Sequence, residues 1–313
     1  MKLLVFIYLF FVNLFNESNC IMYGNKVPDL GRGALIGTLI TKRHGVNGTV
    51  YALDEENFYV DGFNYDGKGA DAFFWYGMDG DLPNKEGEII LYHENDDENN
   101  PTPLPAMANA FLKLALPEGT SITKDLRWLS VWSKKLGKDF GHIIIPEDLD
   151  VPRVKVLHEF TKTSHGVKSG NIEILDAQSI LIPDLHYDGE GPGAYFWAGS
   201  GSTPNDLGFI IPNEKGSLEK LESYEGEKIS LKLPKNVTVY DIDYIAIWCE
   251  ELEQSFGYTL IPKDDLWVPP TLPQTRVQEI TQIVETGNDN SSGIMCPMNY
   301  LVLIVLLACM LKM

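Results

Sequence analysis

Between residues 33 and 262 the chain alternates short apolar runs with clusters of Gly, Asp, Asn and Pro. The runs at 34–41, 49–53, 57–60, 72–76, 88–92, 111–116, 126–133 and 142–145 are rich in β-branched and aromatic residues, the composition of strands. Eight such runs in a stretch of about 110 residues predict an all-β domain, a sandwich or a barrel. The run 241–249 carries Tyr244, Ala246 and Trp248 on one alternating face and Ile245, Ile247 and Cys249 on the other. A strand apolar on both faces is buried on both, which predicts a central position in its sheet.

The pattern occurs twice. The stretch from Tyr65-Asp66-Gly67 to Phe73-Phe74-Trp75 returns as Tyr187-Asp188-Gly189 to Tyr195-Phe196-Trp197, an offset of 122 (65 to 187). His44-Gly45-Val46 returns as His165-Gly166-Val167, Val131-Trp132-Ser133 as Ile247-Trp248-Cys249, and Phe140-Gly141 as Phe256-Gly257. At the late tryptophan the offset has fallen to 116 (132 to 248), so copy one holds six extra residues. The acidic, Asn- and Pro-rich stretch 94–105 is where an exposed loop is expected to absorb them. Two tandem domains follow, at 33–147 and 153–265, with 266–293 read as a stalk because of Pro269-Pro270, Pro273 and the polar run behind them.

The ends place these domains outside the cell. Residues 1–20 read as a signal peptide, an apolar run closed by Ser18 and Cys20 at the cleavage site. Residues 294–313 hold an apolar tail preceded by Asn288-Asp289-Asn290-Ser291-Ser292-Gly293. That arrangement suits a glycosylphosphatidylinositol anchor signal better than a single spanning helix, which needs about 20 apolar residues. The expected location is the extracellular face of the plasma membrane, and Asn47, Asn236 and Asn290 then become N-glycosylation sites.

A net charge of −19 argues against nucleic-acid binding, which requires a concentrated basic surface. Of the four cysteines, Cys20 leaves with the signal, and Cys296 and Cys309 lie in the tail. Cys249 is then the one cysteine of the mature chain, and stability must come from packed cores. The Tyr-Asp-Gly-x-Gly stretches have turn chemistry. A calcium loop built on Asp61, Asn64, Asp66 and Asp71 is the sharper alternative, but the spacing is not that of an EF-hand and copy two keeps only Asp184 and Asp188. His44 and His165 precede glycine at strand ends, as turn residues do, and no second histidine or cysteine recurs in both copies to complete a metal set. No nucleophile elbow, H-E-x-x-H or P-loop occurs, so no metal, cofactor or established catalytic site is expected.

The ordered set of H-G, Y-D-G-x-G-x-x-A-[YF]-F-W, W-[SC] and F-G motifs, repeated from Gly33 to Pro262, resembles the DM-thirteen domain of Skeletor-type extracellular proteins. The resemblance implies a mostly β, secreted or membrane-attached domain, often found in tandem and often beside a DOMON-type haem- or sugar-binding module that is missing here. It also implies a redox role centred on the cysteine after the late tryptophan, which is Cys249 in copy two; copy one departs from the pattern with Ser133. Glu250 and Glu251 follow Cys249 and no cation stands beside it, the opposite of the electropositive setting in which reactive cysteines occur. Two functions therefore stand open: a cell-surface or extracellular-matrix interaction protein with a protein or glycan partner, or an extracellular redox or electron-transfer component using Cys249.

Overall fold

A computed structural model describes residues 31–92 and 100–272. The signal and anchor segments, Asn290 and most of the acidic loop lie outside them. Copy one follows the chain as β1 (Ala34–Thr38), β2 (Ile40–Thr41), β3 (Asn47–Ala52), β4 (Asn57–Tyr65), β5 (Ala72–Gly77), β6 (Glu88–Ile90), β7 (Met107–Ala115), β8 (Trp128–Ser133) and β9 (Lys138–Ile144). Copy two continues with β10 (Lys155–Val156), β11 (Glu173–Ile174), β12 (Ser179–Tyr187), β13 (Ala194–Gly199), β14 (Phe209–Ile210), β15 (Tyr224–Lys232), β16 (Tyr244–Cys249) and β17 (Gln254–Leu260). Among the described residues there is no helix.

Each copy is a sandwich of two antiparallel sheets. In copy one the strand orders are β1-β3-β4-β7 and β2-β9-β8-β5-β6; in copy two they are β10-β11-β12-β15 and β14-β13-β16-β17. The inner faces interdigitate as alternating apolar positions require. Phe63 of β4 meets Phe74 of β5 with ring centroids 5.1 Å apart, and Phe196 of β13 meets Tyr224 of β15 at 6.0 Å.

The strand 241–249 is central as its pattern predicts, since β16 pairs with β13 on one side and β17 on the other. Its second apolar face is explained by an aromatic layer outside the sheet. Trp197 and Trp248 stack there at 6.2 Å and 19°, and in copy one Trp75, Trp128 and Trp132 cluster on the same outer face. The loop after the aromatic strand folds over this layer, so Trp75 Nε1 donates to the Asn84 carbonyl and Trp197 Nε1 to that of Asn205, each at 3.0 Å. Burial of the rings and pairing of their N–H groups arise from one loop.

Two expectations are modified. Within the stretch read as an exposed loop, Leu104 is buried and its N–H donates to the Ala72 carbonyl at 2.8 Å, as Leu221 does to Ala194 at 2.8 Å. The segment read as the start of a stalk is packed over residues 266–272. Leu266 and Val268 join the core of copy two, and Leu272, like Phe111, packs against the Tyr51, Leu53 and Tyr59 cluster of copy one. Hydrogen bonds fix this strap: Arg153 N–H to the Trp267 carbonyl (3.0 Å), Ala177 N–H to that of Pro269 (2.9 Å), and Thr271 Oγ1 to Asp176 (2.9 Å). Apolar side chains between prolines gave this segment enough buried surface to dock.

Candidate functional site

The recurrent motifs converge at one place in each sandwich. His44 adopts a left-handed turn (φ 55°) that its own glycine continues, and the Tyr65-Asp66-Gly67 turn docks on it, with the Asp66 N–H donating to the His44 carbonyl at 3.0 Å. The Asp66 carboxylate accepts from the Lys68 N–H at 2.8 Å, which closes the Asx turn expected from sequence. The same carboxylate faces His44 Nδ1 at 3.0 Å. The imidazole lies on Phe140 at a centroid distance of 4.4 Å, with Tyr65 edge-on at 6.2 Å.

Copy two repeats this arrangement with His165 at φ 54°, Nδ1 3.1 Å from Asp188, and the ring 4.1 Å from Phe256 and 6.3 Å from Tyr187. An ionised carboxylate only accepts, so each Nδ1 donates its proton to the aspartate. Neither Nε2 bonds to a protein atom among the described residues, and the two side chains are 25% and 26% exposed. The Lys68 N–H, more than His44, holds the Asp66 carboxyl below its ordinary range. Burial pushes the phenols of Tyr65 and Tyr187 above theirs. A depression of about 420 Å³ beside the first pair is lined by His44, Asn64, Asp66 and Met107, among others. Histidine as a turn residue was legible in the sequence; its pairing with aspartate and phenylalanine from distant motifs was not, although the joint recurrence of all three was the available signal.

The fourth motif ends β8 and β16. Ser133, buried at the end of β8, donates to the Ala70 carbonyl at 2.5 Å and accepts from the Leu136 N–H at 3.1 Å. Cys249, its counterpart on β16, is free, fully buried and part of the copy-two core, within electrostatic reach of Tyr187. Of the residues suggested for calcium, Asp61 pairs with Arg32 at 3.0 Å and Asn64 accepts from the Asn109 N–H at 3.0 Å, while Asp66 serves His44. Among the described residues no three His, Cys, Asp or Glu side chains converge as a metal set. Asn47 and Asn236 are both exposed.

Comparison with known proteins agrees with the repeated fold. The family described as Electron transfer DM13 matches residues 38–145 and 159–261. The chain belongs to this family and carries its domain in two tandem copies. Protein Skeletor of Drosophila melanogaster is similar in both curated forms matched: isoforms B/C and isoforms D/E are each 39% identical over 240 residues, 77% of this chain. The chain spans 30% and 16% of the length of those relatives. No solved structure matches.

Proposed function

We propose that this chain is an extracellular interaction protein, held at the outer face of the plasma membrane, whose tandem DM13 domains present surfaces to a protein or glycan partner. The observation that carries this reading is the exchange of Cys249 for Ser133 within an otherwise repeated convergence of motifs. The His–Asp–Tyr–Phe framework is complete in copy one without a thiol, so the framework does not exist to serve one. The thiol itself is enclosed by core side chains, where cysteine acts as a small apolar residue. Glycans at Asn47, Asn236 and Asn290 and an anchor signal at 294–313 belong to the same reading. Replacing Cys249→Ser should leave partner capture by the full chain on cells unchanged. Loss of capture by a variant that still folds would overturn it.

The family's description as electron transfer, together with the electrostatic reach between Cys249 and Tyr187, favours a second reading in which Cys249 is the group oxidised by an external oxidant. That reading requires Cys249 of the native protein to react with a small alkylating reagent within minutes. A thiol labelled only after denaturation excludes it.

A further inference from the structure

The hairpin tip after the late tryptophan strand is built alike in both copies and charged oppositely. In copy one, Lys134, Lys135 and Lys138 surround Leu136; in copy two, Glu250, Glu251 and Glu253 surround Leu252. The stems are held in the same way, with the Lys134 N–H donating to the Asp71 carbonyl and the Glu250 N–H to that of Gly193, each at 3.0 Å. All six charged side chains are exposed, and the leucines are 54% and 52% exposed. Among the described residues none of the six pairs with an opposite charge. Lys134 leans over the Trp75 ring, its Nζ 6.0 Å from the centroid.

The two tips differ also in their turn residue. The turn needs a left-handed residue, which is Gly137 (φ 58°) in copy one but Glu253 (φ 48°) in copy two. A glutamate there costs conformational energy that glycine would avoid. In a chain of net charge −19, three lysines gathered at one tip also stand apart from their surroundings.

We infer that the two tips are complementary docking elements for a second copy of this chain, the lysine-ringed Leu136 of one molecule meeting the glutamate-ringed Leu252 of the next. The contact is heterologous, so successive chains join head to tail and the series need not close. Each contact is small, and its strength comes from paired charges around an apolar centre and from repetition where chains are crowded. The inference deepens the interaction reading above by naming one partner, and it rests on that reading.

The test uses charge exchange in the purified full chain, followed by sedimentation of fluorescently labelled protein in a non-ionic detergent. The wild type should associate with rising concentration at low salt and at least tenfold more weakly at about 1 M salt, where the Debye length falls to ~3 Å. Reversing the first tip (K134E, K135E, K138E) or the second (E250K, E251K, E253K) should abolish self-association. An equimolar mixture of the two reversed variants, one acidic at both tips and the other basic at both, should restore it. Glu253→Gly should weaken association while the melting temperature holds or rises, which separates docking from folding. The inference is overturned if the wild type sediments as one species throughout, or if the mixture fails to associate. It is equally overturned if only the lysine tip matters and its reversal abolishes retention on a sulfated-glycan column, since the partner is then a polyanion. None of these failures alters the Cys249→Ser outcome on which the wider reading stands.

Discussion

At the level of single residues, the two copies solve one steric problem in opposite ways. Where β4 meets β7 and where β12 meets β15, the register shifts between Val60 and Phe63 and between Ile182 and Leu185. Two left-handed residues face each other across each shift: Gly62 (φ 67°) and Asn109 (φ 53°) in copy one, Asp184 (φ 49°) and Gly226 (φ 105°) in copy two. A Cβ on Gly62 would lie 3.4 Å from Asn109 Oδ1, and one on Gly226 would lie 3.1 Å from Asp184 Oδ1. Side chains on both left-handed residues would strain the backbone twice, and in copy two they would also crowd at 3.1 Å, so glycine on one strand or the other relieves the pair. Gly62→Asp should therefore destabilise copy one by about 1–2 kcal/mol. Adding Asn109→Gly, which reproduces the arrangement of copy two, should recover most of that loss. Chemical denaturation of the four species of this cycle measures the coupling, and additive losses would refute it.

For whole elements, these bulges also explain what the sequence pattern could and could not reveal. Alternation located the strands near Val50, Phe74, Leu114 and Val131 because each has an uninterrupted buried face. It ended the strand at 57 too early, at Val60, and started the strand through Leu114 too late, at Phe111, because Asp61-Gly62 and Asn109 have the composition of turns; the strands in fact run Asn57–Tyr65 and Met107–Ala115. The site was hidden for a related reason. His44, Asp66 and Phe140 each carry a local signal, but their meeting depends on the closing of two sheets, which no local window contains. A third such closure surrounds Glu55, whose carboxylate accepts from Thr123 Oγ1 at 2.7 Å, Ser121 Oγ at 2.8 Å and Arg153 Nη2 at 3.1 Å. Burial alone would raise its pKa, but these hydrogen bonds outweigh burial and hold the carboxyl below its ordinary value of 4.5. The fold thus favours the ionised form, so its contribution is present above pH 4.5 and lost as pH falls through the lower, folded value. Glu55→Gln should cost about 1 kcal/mol at neutral pH. The variant should also lose less stability than the wild type on acidification below pH 4.5, which parallel melts across that range would show.

Over the whole molecule, the two sandwiches are joined by more than the chain between them. Arg153, in the linker, holds Glu55 and Asp150 at 3.1 and 2.6 Å through its side chain, while its N–H binds the Trp267 carbonyl of the returning strap. The strap then bonds to copy two at Ala177 and Asp176 and reaches the Tyr51–Tyr59 face of copy one through Leu272. A strap with this connectivity makes the stability of each copy depend on the other, which a free stalk would not. Ending the chain after Leu272 keeps the strap and gives the reference transition. Ending it after Asp265 removes the buried Leu266 and Val268 and should cost at least about 3 kcal/mol, since burying each such side chain contributes roughly 1.5–3 kcal/mol. The shorter chain should also resolve into two transitions in calorimetry, because Leu272 no longer ties the copies together. A single unshifted transition in both truncations would show that residues 266–272 hang free of the sandwiches and that the linker alone sets their arrangement.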